Sequence, residues 1–394
     1  MGVTGKKFDG LLAEVEKEHG GRIVALRREI HREPELGFDT VKTAAKVVAA
    51  LEGLPLEVKT GVAENGVVAT LRGAGDGPVV GLRADMDALP IREETGLPFA
   101  SEVEGKMHAC GHDGHTSMLV GAAHVLSGMR ERLGGEVRFI FQPAEEGGGG
   151  GRVMVEEGVL EGVDSVYALH LWPGLPFGVA STAGGPTMAA ADAFEITVRG
   201  RGGHGAMPHL SDDAVVAAAH VVTALQTLVS REVDPTEPAV LTVGQVEAGS
   251  AFNIIPETAR LTGTVRTVDD GLRRRMPRRI EELAGGVARG MQADASLEYT
   301  FSYPVTRNDP EAARFALEVA AGLFGEEGAV EASRPSMAAE DFAFMLEEVP
   351  GAYIWLGVGD VPGLHTPRFS FDEKILPRGS ALLAALALAR LDSP

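Results

Sequence analysis

The sequence predicts an α/β fold: a mixed-sheet domain interrupted by an inserted ferredoxin-like domain. Strand-like and helical stretches alternate from Val79 to Leu171 and again from Pro310 onward, the pattern of helices laid on a sheet. From Ala189 to Tyr303 the order changes to strand, helix, strand, strand, helix, strand, which is the split β-α-β-β-α-β unit. A chain of 394 residues also exceeds what one hydrophobic core usually supports. The expected segments are 1–188 and 304–394, sharing one core, and 189–303, the insert.

Taken in order, Leu11, Leu12, Val15, Ile23, Leu26 and Ile30 recur at near-helical spacing, an amphipathic helix or helix pair. Leu56 to Leu71 alternates polar and apolar around Glu64-Asn65-Gly66, which reads as a hairpin. Val79 to Asp87 is a strand running into two carboxylates, Asp85 and Asp87. His115 to Leu133 carries Met118, Leu119, Ala122, Ala123, Leu126 and Met129 as the stripe of a helix packed on a sheet. Strands Val137 to Pro143 and Ser165 to Leu171 follow, the first ending at Glu145-Glu146 and five glycines, the second at His170. The insert reads as strand Ala193 to Val198, helix Asp213 to Ser230, strands Ala239 to Val246 and Ile254 to Arg266, helix Asp270 to Met291 and strand Ser296 to Tyr303. A helix and strand after Pro310, a helix from Glu340 to Glu348, a buried-type strand from Ala352 to Val358 and a helix from Pro377 to Leu391 complete the chain.

Composition narrows the function. A net charge of −20 excludes nucleic acid as a main ligand, because binding phosphates relies on lysine and arginine displacing counterions. No apolar run reaches the length of a membrane span, and Met1 to Lys7 lacks the apolar core of a signal peptide, so a cytoplasmic protein with no membrane partner is expected. One cysteine permits no internal disulfide and fits a reducing compartment.

That cysteine lies in Met107-His108-Ala109-Cys110-Gly111-His112-Asp113-Gly114-His115. At the average density of histidine, eight residues should hold roughly 0.2 of one; His108 to His115 hold three. Thiol, imidazole and carboxylate so close together are the donors of a transition-metal site, whereas any single histidine here reads rather as a helix-start residue that caps and packs. Glu145 and Glu146, adjacent at a strand end, could divide metal binding and proton transfer between them, or form a solvated acidic turn. The glycines after them do not make a phosphate loop, because its lysine and hydroxyl are missing. Taken alone, His170 and His365 read as core or loop histidines, and His204, in a glycine-rich loop of the insert, is ambiguous.

Several segments together carry a resemblance. They are Arg83 to Pro90, Met107 to His115, Gln142 to Gly147, His170-Leu171, Gly202 to His209, Asn253 to Pro256, Ala339 to Phe342 and His365 to Pro367. In order and over nearly the whole chain, they resemble the metal-dependent aminoacylase and carboxypeptidase superfamily. Within it they are most similar to the N-acyl-L-amino acid amidohydrolases, the branch of hippurate hydrolase and the indole-acetyl-amino acid hydrolases. The resemblance implies a zinc-peptidase-like catalytic domain with two divalent ions (zinc, manganese, cobalt or nickel) and a lid domain that also forms a homodimer or dimer-based oligomer. It implies Cys110, His112, Glu146, His170 and His365 as metal ligands and Glu145 as the general base for a metal-activated water. His204 would stabilise the oxyanion, often in the partner's site, and Asn253 would position a small N-acyl-amino acid. Asp85 stands where the wider superfamily has a ligating histidine, which leaves Asp87 a supporting role. A dipeptidase or carboxypeptidase of the same superfamily, a non-catalytic metal-binding protein of this fold, and a hydrolase using Cys110 as nucleophile are the alternatives.

Overall fold

The computed structural model describes residues 8–391; Met1 to Lys7, read above as lacking a signal peptide, lie outside them. The described residues divide into two compact units, residues 8–185, 307–333 and 341–391, and residues 186–306 and 334–340. In chain order the first unit holds helices α1 (Gly20–Arg32) and α2 (Val41–Leu51), strands β1 (Glu57–Val62), β2 (Gly66–Arg72) and β3 (Val79–Asp85), and helix α3 (His112–Gly128). Strand β4 (Glu136–Gln142), helix α4 (Gly150–Glu156) and strands β5 (Ser165–Pro173) and β6 (Ala180–Thr182) follow. The second unit holds β7 (Ala190–Arg199), β8 (Gly203–His204), α5 (Ala214–Glu232), β9 (Ala239–Ala248), β10 (Ile254–Ile255), β11 (Thr258–Thr267), α6 (Asp270–Gly290) and β12 (Asp294–Tyr303). The first unit resumes with α7 (Pro310–Phe324), β13 (Ala329–Glu331), α8 (Ala343–Glu348), β14 (Gly351–Gly359) and α9 (Ile375–Leu391).

The first unit is organised by an eight-stranded mixed sheet in the order β1-β2-β4-β3-β5-β14-β6-β13. Its central strands β4, β3, β5 and β14 run parallel, so their C-terminal ends share one edge of the sheet. Open α/β sheets place their chemistry at that edge, because the chain leaves each strand there in a free loop. Helices α3 and α9 are buried nearly all round and pack on each other, which only small residues allow. A Cβ at Gly121 would overlap Ser380 Oγ and Ile23, and one at Gly379 would overlap Met118.

The second unit is a four-stranded antiparallel sheet, β9-β11-β7-β12, with helices α5 and α6 against it. This strand order is that of a ferredoxin-like unit. Asp213 and Asp269 cap the two helices by accepting backbone N–H groups of their first turns.

Five readings need correction. The helix expected from His115 starts at His112, because Gly111 turns the chain in the left-handed region at φ 91°. The single strand expected from Ile254 to Arg266 is split into β10 and β11 around Pro256, which has no N–H to give a ladder. The helix expected from Glu340 begins at Ala343. Arg334–Glu340 groups with the second unit rather than with the rest of 304–394, because Ala189 N–H reaches the carbonyls of Ser336 and Ala338 at 3.0 and 2.9 Å. Finally, α5 is long and apolar enough to cross a membrane by length and composition. It nonetheless buries Ala214, Ala217, Ala218, Val221, Leu225 and Leu228, one helical face, in the core of its unit.

Candidate metal centre

Four loops at the C-terminal edge of the large sheet bring the ligand candidates together. Asp87 follows β3, Glu145 and Glu146 follow β4, His170 lies toward the C-terminal end of β5, and His365 lies in the loop after β14. Cys110 and His112 enter at the start of α3, and His365 N–H ties its loop to the carbonyl of Ala109 at 2.9 Å. The donor atoms of Cys110, His112 and His170 lie within 4.8 Å of one another, and so do those of Cys110, Glu146 and His365. Cys110 belongs to both sets. Glu145 joins His112 and Glu146 in a further set of the same compactness.

Hydrogen bonds on the far side of each ring decide which nitrogen faces the site. His112 Nδ1 donates to the Asp87 carbonyl at 2.8 Å, and His170 Nδ1 to the Leu171 carbonyl at 2.7 Å. Both Nε2 lone pairs are thereby left for an ion, the usual outer-shell device of metal sites. His112 Nε2 is buried with no hydrogen-bond partner, and Glu146 Oε1, buried beside it, lies 3.3 Å from His365 Nε2. Burial without a partner is costly, and a bound cation removes that cost. The donor set thus fits two divalent ions that accept sulfur, nitrogen and oxygen ligands.

Asp87 organises the donors from beside them, its Oδ1 3.5 Å from His112 Nδ1. Its Oδ1 and Oδ2 accept the N–H groups of Glu145 and Glu146 at 3.0 and 3.1 Å, while its carbonyl holds His112. In the second unit, His204 and Asn253 are brought side by side by the small β8-β10 ladder, in which Ile254 pairs with His204 and Gly205 N–H meets the Asn253 carbonyl at 2.9 Å. His204 is exposed, and its Nδ1 accepts Ala206 N–H at 3.1 Å. The Nε2–H of the neutral ring is therefore its free donor.

Comparison with known proteins places this arrangement in a family. The pattern of the peptidase family M20/M25/M40 matches residues 81–389. The chain belongs to that family. It is 40% identical over 379 residues to an N-acetylcysteine deacetylase of Bacillus subtilis strain 168, covering 96% of this chain and 99% of the relative. It is 41% identical to a hippurate hydrolase of Campylobacter jejuni, over 94% and 97% of the two chains. A crystal structure from Bacillus subtilis, described as a dinuclear metal-binding peptidase of the M20 family, superposes with a TM-score of 0.84 at 38% identity, covering 95% of this chain and 99% of that one.

The electrostatics of this M20 site are those of a cation receptor. Burial alone would push His112 down, but Asp85, Asp87 and Glu146 outweigh it and raise its pKa to about 10. Burial and the carboxylates of Glu146, Glu145 and Asp85 push the Cys110 thiol well up. Burial, helped by His115, holds His170 well below the usual histidine range and hence neutral. Burial opposes the ionisation of Glu146, yet His365 and His112 hold its pKa below the ordinary value. Burial and the surrounding carboxylates thus disfavour the thiolate of Cys110, and a bound cation would favour it.

Within the Cys/His window, only part points at the donors. Asp113 turns into the core, where its Oδ2 accepts from Arg27 Nε at 2.7 Å and from His31 Nδ1 at 2.8 Å. His108 is buried with neither ring nitrogen hydrogen-bonded, and burial lowers its pKa to about 3. The sequence reading assigned no role to His115, Arg83, Gln142 or Asp341, which form a buried network under the site. An arginine inside the apolar strand Val79 to Asp85 was the available signal, because a buried guanidinium demands acceptors.

Proposed function

We propose that the chain hydrolyses the amide bond of N-acyl-L-amino acids in a two-ion site. The observation that carries this is the pair of donor sets sharing Cys110, with the carboxylate of Glu145 beside them. The named activities of the relatives support the amide substrate and the small acyl group. Cys110, His112, Glu146, His170 and His365 would hold the ions, zinc, manganese, cobalt or nickel by the chemistry of their donors. When bound, such ions acidify water and polarise an amide carbonyl.

The remaining steps belong to side chains. Glu145 takes a proton from the attacking water and hands it to the departing amine. Asp87 keeps Glu145 and Glu146 in place through their backbone N–H groups, a positioning role. His204 supplies an Nε2–H donor for the oxyanion, and Asn253, beside it, orients the substrate. Burial and the neighbouring carboxylates disfavour an ionised Cys110 thiol, which argues against the thiol as nucleophile.

A homodimer is part of the proposal. The edge strand β9 exposes Val240 and Val246, α5 exposes Val215 and Val216, and Met207, Leu210, Phe252 and Ile254 stand exposed around His204 and Asn253. A second copy would cover such apolar surface. The single cysteine, which permits no internal disulfide, supports a cytoplasmic setting.

The test is a substrate screen on protein stripped by a chelator and reloaded with each ion in turn. N-acetyl, N-benzoyl and indole-acetyl amino acids should be cleaved only after reloading. Activity that survives complete metal removal would overturn the metal mechanism, and faster cleavage of unblocked dipeptides would overturn the substrate class.

A further inference from the structure

His115 lies close enough to the donors to look like a ligand. Its ring centroid is 4.5 Å from that of His170, and with Asp85 and His112 it forms another compact set of donor atoms. Both of its nitrogens are nonetheless committed. Nδ1 lies 2.6 Å from Asp85 Oδ1, and Nε2 lies 3.0 Å from the backbone nitrogen of Leu171. An amide N–H can be received only by a nitrogen that carries a lone pair, so the ring proton sits on Nδ1 and is donated to Asp85. Asp85 is itself fixed, its Oδ2 accepting from Arg83 Nη1 at 2.6 Å, and Arg83 is held in turn by Gln142 and Asp341 at 2.8 Å each.

The peptide of Leu171 is therefore gripped from two sides. Its N–H is held by His115 and its carbonyl by His170 Nδ1 at 2.7 Å. The second bond places the proton of His170 on Nδ1 and leaves the Nε2 lone pair 3.4 Å from Cys110 Sγ. We propose that His115 is a positioning residue: anchored on the Arg83–Asp85 ion pair, it fixes the Leu171 peptide and through it the coordinating orientation of His170, and it binds no metal itself. The proposal rests on the reading of Cys110, His112 and His170 as ligands.

Two conservative variants separate the two bonds of His115. An asparagine amide falls near the place of Nδ1 and a glutamine amide near that of Nε2, so His115→Asn keeps a donor for Asp85 and His115→Gln keeps an acceptor for Leu171. Cobaltous ion affinity is measured by chelator competition, together with the ion count at saturation, the thiolate-to-cobalt absorption of Cys110 and the melting temperature of the metal-free protein. His115→Asn should weaken binding by about 10- to 100-fold, as losses of outer-shell partners do, with the ion count at saturation unchanged. His115→Gln should recover most of the affinity. Equal losses in both variants, or lower melting temperatures with unchanged affinity, would overturn the role.

A measurement on the wild-type chain covers the case in which neither variant folds. With isotope-labelled histidine and cadmium as the ion, scalar coupling to the metal should appear at Nε2 of His112 and His170 and be missing at His115. Coupling at His115 alongside the other two would overturn this proposal alone. No coupling at His112 or His170 would overturn the metal-centre reading and this one with it.

Discussion

The two adjacent glutamates invite a test of how neighbouring residues divide labour. Asp87 holds both of their backbone N–H groups, so the pair is fixed as one turn while the side chains diverge. Glu146 reaches toward His112 and His365, whereas Glu145 Oε1 lies 3.4 Å from the backbone nitrogen of Asp341. Glu145→Gln should therefore lower turnover by roughly 10² to 10⁴ and leave the metal content intact. Loss of metal from that variant would show that the roles are reversed. A second prediction concerns Cys110, whose ionisation burial disfavours and a bound cation would favour. Thiol alkylation should be slow in the loaded protein, where coordination occupies the sulfur, and faster after chelation at alkaline pH. Equal rates in the two forms would remove Cys110 from the ligand set. Much at this scale was legible in the sequence: the density of donors around Cys110, and the acid pair at a strand end. What was not legible was direction. His112 and Asp113 are neighbours, but the helix that begins between Gly111 and His112 sends one toward the donors and the other toward Arg27 and His31. Only the fold decides that.

At the scale of elements, periodicity and apolar runs located most of the longer helices and strands, but passed over α2 (Val41–Leu51) and the short α4, β6 and β8. They misplaced boundaries where a single backbone feature intervened, as Gly111 does at the start of α3 and Pro256 between β10 and β11. They also say nothing of how closely two helices approach. Helix α3 is buried on all sides, and its contact with α1 and α9 depends on the missing side chain of Gly121. Gly121→Val forces methyl groups against Ser380 Oγ and Ile23, and overpacking of this kind costs about 1 to 3 kcal/mol. Gly128 ends the same helix with open space around its Cβ position, so Gly128→Ala should be neutral or stabilising by up to about 1 kcal/mol. Denaturant unfolding of the metal-free proteins checks the contrast, with a shift in midpoint expected for the first variant only in the destabilising direction. Indistinguishable midpoints for wild type and Gly121→Val would show that the α1-α3-α9 packing is looser than the structure describes.

At the scale of the whole molecule, the proposed chemistry is divided between two compact units. All five candidate ligands and Glu145 belong to the first unit, and His204 and Asn253 to the second. The sequence made this division legible through the change from alternating strands and helices to the β-α-β-β-α-β order, although it did not show that Arg334–Glu340 returns to the second unit. A donor on a separate unit must either serve its own chain or be given to another copy, and the exposed apolar residues around His204 favour the second course. Mixing inactive Glu145→Gln chains with inactive His204→Ala chains decides between them. If the histidine is donated across a dimer, each mixed dimer has one site with both defects and one with neither. Activity should then return to about a quarter of wild type under random exchange, since half the dimers are mixed and each has one intact site of two. Subunit exchange demonstrated by mass, with activity still at background, would mean that His204 serves its own chain or none, and donation between copies would be ruled out.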